Sequence, residues 1–172
     1  MDQRIRKTAL YGLMIALAIL MSYVESQVPA FFAVPGMKLG LTNIVVLMAL
    51  YLLGPAAAIV INLVRVGIVG LLFGTGLSLV FSLAGAVLSG LTMILLKKHF
   101  HRVVVSVAGG VMHNVGQILV AMAVLSTARI AWYLMILWFS GMASGALIGL
   151  LGSMLVKYLE PAIRRWEKGE SL

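Results

Sequence analysis

Seven polar side chains interrupt an otherwise apolar chain, and their types and spacing suit the capture of a small negatively charged molecule. Arg65 stands inside the apolar stretch 55–73, with Asn62 three residues earlier on the same helical face. His113 and Gln117 are four apart and share a face, with Asn114 beside them. Lys38 and Asn43 open another apolar run, about one helical turn apart. A guanidinium offers a planar fork that matches carboxylate or phosphate, and lysine adds a compact point charge. Amide side chains orient a bound molecule through hydrogen bonds. A charge at bilayer depth costs a few kcal/mol or more, so a chain that keeps one there pairs it or uses it. The five acids, Asp2, Glu25, Glu160, Glu167 and Glu170, all fall at or beyond expected helix ends. Arg65 is therefore expected to be completed by an anionic or amphiphilic ligand.

Each residue also has a plainer reading. Lys38 can snorkel to the interface. Asn62 and Asn114 can bond between helices, His113 can be a satisfied core histidine, and Arg65 can bind helix carbonyls or line water. Glu25 reads as a solvated loop acid. The binding reading gains from their shared depth rather than from any single residue.

Catalytic signatures are missing. The sequence has no HExxH, no Walker loop and no Asp-rich motif to hold Mg²⁺ against a diphosphate. Cysteine is absent, which removes disulfides and thiolate metal sites. No catalytic residue, metal ligand or cofactor is expected, and any ATP-driven work falls to a partner.

These side chains must be positioned by membrane helices. Of 172 residues 62% are hydrophobic and 10% charged, with a mean hydropathy of +1.11. A soluble domain carries about 25% charged residues. The expected fold is an all-α integral membrane protein, a single domain over residues 1–172 with six transmembrane helices near 8–23, 38–53, 55–73, 77–96, 103–125 and 131–158. Segments 25–36 and 126–130 read as loops, Gly54-Pro55 and 74–76 as tight breaks, and Glu160-Pro161 as the close of the last helix. The first helix follows Arg4, Arg6 and Lys7 but lacks a clear cleavage site, so it reads as retained.

Basic residues set the orientation. With the N-terminus inside, Arg4, Arg6, Lys7, Lys97, Lys98, Arg102, Lys157, Arg164, Arg165 and Lys168 lie on the inner side. Only Arg129 and Lys38 fall near the outer side. This bias places both termini in the cytoplasm of a multi-pass cell-membrane protein. It also explains the net charge of +8 without nucleic acid. The polar cluster then lies in the middle and outer half of the bundle. Tyr23, Phe31, Phe32 and Trp132 collect near the same side, as an interface belt or as rings to stack on a planar ligand.

Small residues recur at packing spacing. Gly141, Gly145, Gly149 and Ser153 form one stripe, and Ser78, Ser82, Ala86 and Gly90 another. Both read as internal helix packing. Ala9, Gly12 and Ala16 make a third, at the inner end of the first helix.

The run Pro35-Gly36-Met37-Lys38-Leu39-Gly40-Leu41-Thr42-Asn43 resembles the signature of the Gx transporter family, which also carries the name heptaprenyl diphosphate synthase component I. The resemblance continues through Asn62-Leu63-Val64-Arg65 and His113-Asn114-Val115-Gly116-Gln117. That family looks related to the substrate-binding S components of energy-coupling factor (ECF) transporters. The resemblance implies a six-helix bundle with a pocket near the outer face. It also implies docking through Ala9, Gly12 and Ala16 onto a transmembrane coupling protein that carries two ATPases. Implied cargoes are a flavin or flavin nucleotide, or a prenyl or quinone precursor. The family's second name implies another role, a membrane accessory subunit of a heptaprenyl diphosphate synthase.

The charge bias makes a direct prediction. With His99→Cys as the only thiol, an impermeant reagent added outside intact cells leaves the protein unlabelled, and labelling appears after permeabilisation. Labelling of intact cells overturns the topology.

Overall fold

A computed structural model describes residues 3–27 and 39–168. Every regular element among them is helical: α1 (Gln3–Gln27), α2 (Leu41–Leu52), α3 (Pro55–Phe73), α4 (Gly76–Leu96), α5 (Arg102–Val124) and α6 (Tyr133–Lys168), with a 3₁₀ turn at Ala128–Trp132 before α6. The helices α1, α3, α4, α5 and α6 are long and apolar enough to cross a membrane. In lipid a backbone has no water to bond, so a helix that satisfies itself is the form an apolar chain can take.

The exception is α2. Its 12 residues rise about 18 Å, short of the roughly 30 Å hydrocarbon core. The expected start at Lys38 lies outside the described residues. Val45, Val46, Leu47, Met48, Ala49 and Leu50 are all buried. A helix that is apolar on every side belongs in a core, and α2 packs against α1, α3 and α6.

Helix ends follow local chemistry. Gly54 takes φ 103°, open to glycine, and Pro55 fits the first turn of α3, where its missing N–H costs nothing. A reciprocal capping box between Thr75 and Ser78 starts α4. Two expected ends move. The segment Glu25-Ser26-Gln27, expected in a loop, continues α1. Pro29 disfavours helix only at the residue before it, so Gln27 is free to be helical. The expected close at Glu160-Pro161 is also corrected, since α6 passes Pro161 and runs to Lys168. Pro161 is exposed, beyond the apolar stretch, where water can satisfy the carbonyl that loses its donor.

The basic residues gather at one end of the bundle. Arg6 donates to the Trp166 carbonyl at 2.6 Å and lies over the Trp166 ring. Lys97 donates to the Leu50 carbonyl at 2.6 Å, near the C-terminus of α2, where a cation suits the helix dipole. Lys97 and Arg102 both lie over the Tyr51 ring, at 5.2 and 5.1 Å. Glu160 meets Arg102 at 3.6 Å and Arg164 at 2.8 Å. At the other end Tyr23 packs on Phe73 with ring centroids 5.6 Å apart. Trp132 is 77% exposed, as an interface anchor would be. Phe31 and Phe32 lie outside the described residues.

Glycines set the approach of α5 to its neighbours. A Cβ on Gly110 would sit 2.6 Å from the Gly141 oxygen, and one on Gly145 only 2.7 Å from the Val107 Cα. The Gly141–Gly145–Gly149 stripe is thus the α5–α6 packing surface. The α4 stripe is corrected. Gly85 and Ser89 face α5, against His113 and Gly109, whereas Ser78 and Ser82 line cavities and a Cβ on Gly90 would meet nothing. Both four-residue rows exist on the helix, and the neighbours choose between them.

Gly145→Val should therefore cost about 1–3 kcal/mol, because the obstructing atoms are backbone and cannot rotate away. Gly12→Val, where a Cβ meets open space, should be close to neutral. Thermal unfolding in detergent tests the contrast, and equal melting of the two variants would reject this packing surface.

Candidate functional site

Arg65 lies about 15 Å along α3 from Pro55, near the middle of the helix. Its Nη2 donates to Asn62 Oδ1 at 2.6 Å. Asn62 is buried, and its Nδ2 reaches the Ala86 carbonyl of α4 at 3.4 Å. The spacing of three thus makes a guanidinium–amide–carbonyl relay across the α3–α4 seam. Arg65 Nε is buried and has no hydrogen-bond partner among the described residues. A buried donor left unmade costs about 1–3 kcal/mol, more beside a charge.

Arg65 lines a cavity of about 220 Å³ between four helices, with Ser22, Glu25, Thr42, Ser78 and Ser82 on its walls. Ser22 and Thr42 are buried, and their hydroxyls lie 2.8 Å apart. Ser22 spends its proton on the Ala18 carbonyl. Thr42 must then donate to Ser22, so toward the cavity Thr42 Oγ1 is an acceptor only. Glu25 accepts the N–H of Gly40, the left-handed residue (φ 77°) that starts α2. The expectation of a solvated loop acid fails because Ala18, Ser22 and Glu25 follow one face of the extended α1. Glu25 attracts Arg65 electrostatically, although no ion pair within 4 Å joins them among the described residues. The cavity holds one cation and one anion on its described walls, where the sequence suggested an unmatched cation.

A second cavity, about 710 Å³, lies on the other side of α4. Gln117, Arg129, Tyr133 and Phe81 line it, and Ser78 and Ser82 are shared by both cavities. The α4 helix packs on α3 on one side and on α5 on the other. Asn62 and Arg65 thus gather on the α3 side of α4, and Gln117 on the α5 side.

The remaining expected residues take other places. His113 lies against Gly85, where a Cβ would come within 2.9 Å of the ring nitrogens. Asn114 donates to the Leu137 carbonyl of α6 at 2.6 Å, the interhelical bond that its plainer reading anticipates. Asn43 sits in the first turn of α2, its amide close to Gly40, while its neighbour Thr42 reaches the cavity. Lys38 lies outside the described residues. Ala9, Gly12 and Ala16 are all exposed, so that stripe faces out of the bundle. Ala9 borders a groove of about 370 Å³ shared with Ala162 and Trp166 of α6.

Ser22, Thr42, Ser78 and Ser82 were missed as site residues. Single hydroxyls in apolar helices carry little signal, since they commonly bond their own helix carbonyls.

Arg65→Met should remove a charged anchor and lower retention of a co-purifying small molecule by about tenfold or more, the scale of one charge-assisted hydrogen bond. Asn114→Leu should instead cost stability, about 0.6 kcal/mol for an average interhelical bond, with retention unchanged. Mass spectrometry of the purified protein and a thermal melt separate the two. The reverse pattern would move the site from Arg65 to Asn114.

No curated protein and no solved structure matches the chain. One protein family does, that described as heptaprenyl diphosphate synthase component I, over residues 14–155. The match covers α3, α4 and α5 whole and most of α1 and α6, including the Arg65 cavity and the close-packed glycines. This apolar helical bundle, with a buried arginine facing a polar cavity, belongs to the heptaprenyl diphosphate synthase component I family.

Proposed function

We propose that the chain is the substrate-binding S component of an ECF-type ATP-driven transporter, which holds a small anionic or amphiphilic molecule in its outer half. The observation that carries this reading is Arg65, a guanidinium at mid-membrane depth with a buried, unsatisfied Nε on a polar cavity. A purely structural arginine would be expected to spend that donor on a carbonyl. Binding residues are Arg65 and Asn62, with Gln117 on the far side of α4 and Lys38, Asn43 and His113 as further candidates, whereas Asn114 is held by α6. The cargo is a flavin, a flavin nucleotide, or a prenyl or quinone precursor. In this reading α2 with the residues before it makes the sixth span, and both termini are cytoplasmic.

The mechanism is capture from one side, closure over the cavity, and reorientation driven by a partner. The chain itself is not a catalyst. Ala9, Gly12 and Ala16 support docking by their exposure: they form a smooth outward stripe at the basic end, where a coupling protein with two ATPases would reach. In lipid such stripes gain association energy from close van der Waals contact.

The family description favours a second reading, a membrane accessory subunit that serves a heptaprenyl diphosphate synthase. Both readings put a negatively charged or amphiphilic molecule in the membrane-embedded site, and they differ in the partner.

Affinity purification in mild detergent decides. Under the first reading a coupling protein and ATPases co-purify, and the double variant Gly12→Leu with Ala16→Leu releases them while ligand retention survives. Co-purification of a soluble Asp-rich synthase instead supports the second reading. If the double variant aggregates and loses ligand and partner together, the stripe serves the fold.

A further inference from the structure

A groove of about 240 Å³ runs between α3 and α4 with α2 at its floor. Its walls are apolar apart from Asn62. Ile59, Leu63, Val87 and Leu91 stand at its rim and are exposed on the bundle surface, so the groove opens sideways toward lipid. A Cβ added at Gly90, in its wall, would meet nothing within 4 Å. The groove and the Arg65 cavity share no lining residue but adjoin across Asn62. Asn62 and Ala86 line the groove, their hydrogen bond crosses the seam, and Asn62 Oδ1 accepts from Arg65 on the other side.

We propose that this groove holds the hydrocarbon chain of a single-chain isoprenoid amphiphile whose acidic head is received at Arg65. The inference rests on the reading of Arg65 as a ligand-binding residue. Three observations select the occupant. The groove and the polar cavity adjoin at the Asn62–Arg65 pair, so a polar head received at Arg65 brings an attached apolar chain beside the groove. Its lateral opening lets a chain longer than the groove continue into the bilayer. The family is described by a heptaprenyl product, a chain of that kind. The cavity also limits the head. With Glu25 already offsetting Arg65, and Thr42 offering only lone pairs, a head with one negative charge unbalances the described walls least and a multiply charged head unbalances them more. A prenylated carboxylic acid fits these walls better than a diphosphate.

The test uses the full chain in lipid nanodiscs and a farnesyl-type carboxylic acid with a photoreactive diazirine at the end of its chain. Labelled residues are mapped by mass spectrometry. The expected result is labelling concentrated on residues 59–63 and 87–94. Gly90→Leu and Leu63→Trp, which fill the groove from opposite walls, should reduce it to the level of the lipid-facing α6 surface. Arg65→Met should reduce it about tenfold, the factor for one charge-assisted hydrogen bond. Two groove variants guard against the failure of either to fold. Labelling that depends on Arg65 but falls outside the groove, or survives both filling variants, overturns the chain site and leaves the head cavity standing. Groove labelling that ignores Arg65→Met overturns the proposal together with the Arg65 reading, because the groove then simply takes a bilayer chain.

Discussion

The burial of one guanidinium organises the end of this bundle where α1 meets the start of α2. Lipid offers Arg65 nothing, so the protein must supply what water would. Asn62 provides one acceptor at 2.6 Å, and Glu25 supplies a compensating charge at longer range. That solution needs α1 to stay helical through Gln27, so that Glu25 sits in its last turn. It also needs α2 to begin at Gly40, whose N–H holds the Glu25 carboxylate. The same constraint keeps space open, since Arg65 lines a cavity and does not pack into the core.

The other half is built on different physics. Where α5 meets α4 and α6, close backbone approach does most of the joining, with the Asn114–Leu137 bond beside it. Gly116 comes against the Ala84 carbonyl, and Gly145 against the Ser106–Val107 backbone. In a membrane there is no hydrophobic drive between helices, so contact density has to hold them. At the opposite end Tyr51, between Lys97 and Arg102, joins α2 to the α4–α5 connector, and Glu160 extends the link to α6. These groups are partly exposed, and such pairs contribute little each. A tight half and an open polar half together make a bundle with rigid walls on one side and room for a ligand on the other.

The site follows from this division. A cavity lies on each side of the N-terminal half of α4, and Ser78 and Ser82 line both. The smaller holds Arg65 with Glu25, and the larger carries Arg129. The larger has more room, with Phe81 and Tyr133 on its walls.

Some of this was legible in the sequence because it depends on local composition. Hydropathy located the helices that cross, Gly54-Pro55 marked a break that the structure keeps, and spacing alone joined Asn62 to Arg65. The clustering of basic residues at one end was readable from the alternation of helix direction. Other features were decided only by tertiary structure. The Gly85–Ser89 row and the Ser82–Ala86 row have the same period on α4, and only contact with α5 selects one of them. Asn114 reads as well for a ligand as for a helix carbonyl until α6 brings Leu137 to it. Glu25 reads as a loop acid until α1 extends and turns it toward Arg65. Period and composition are properties of one helix, but the partner of a polar group is a property of two, and the sequence does not state which faces meet.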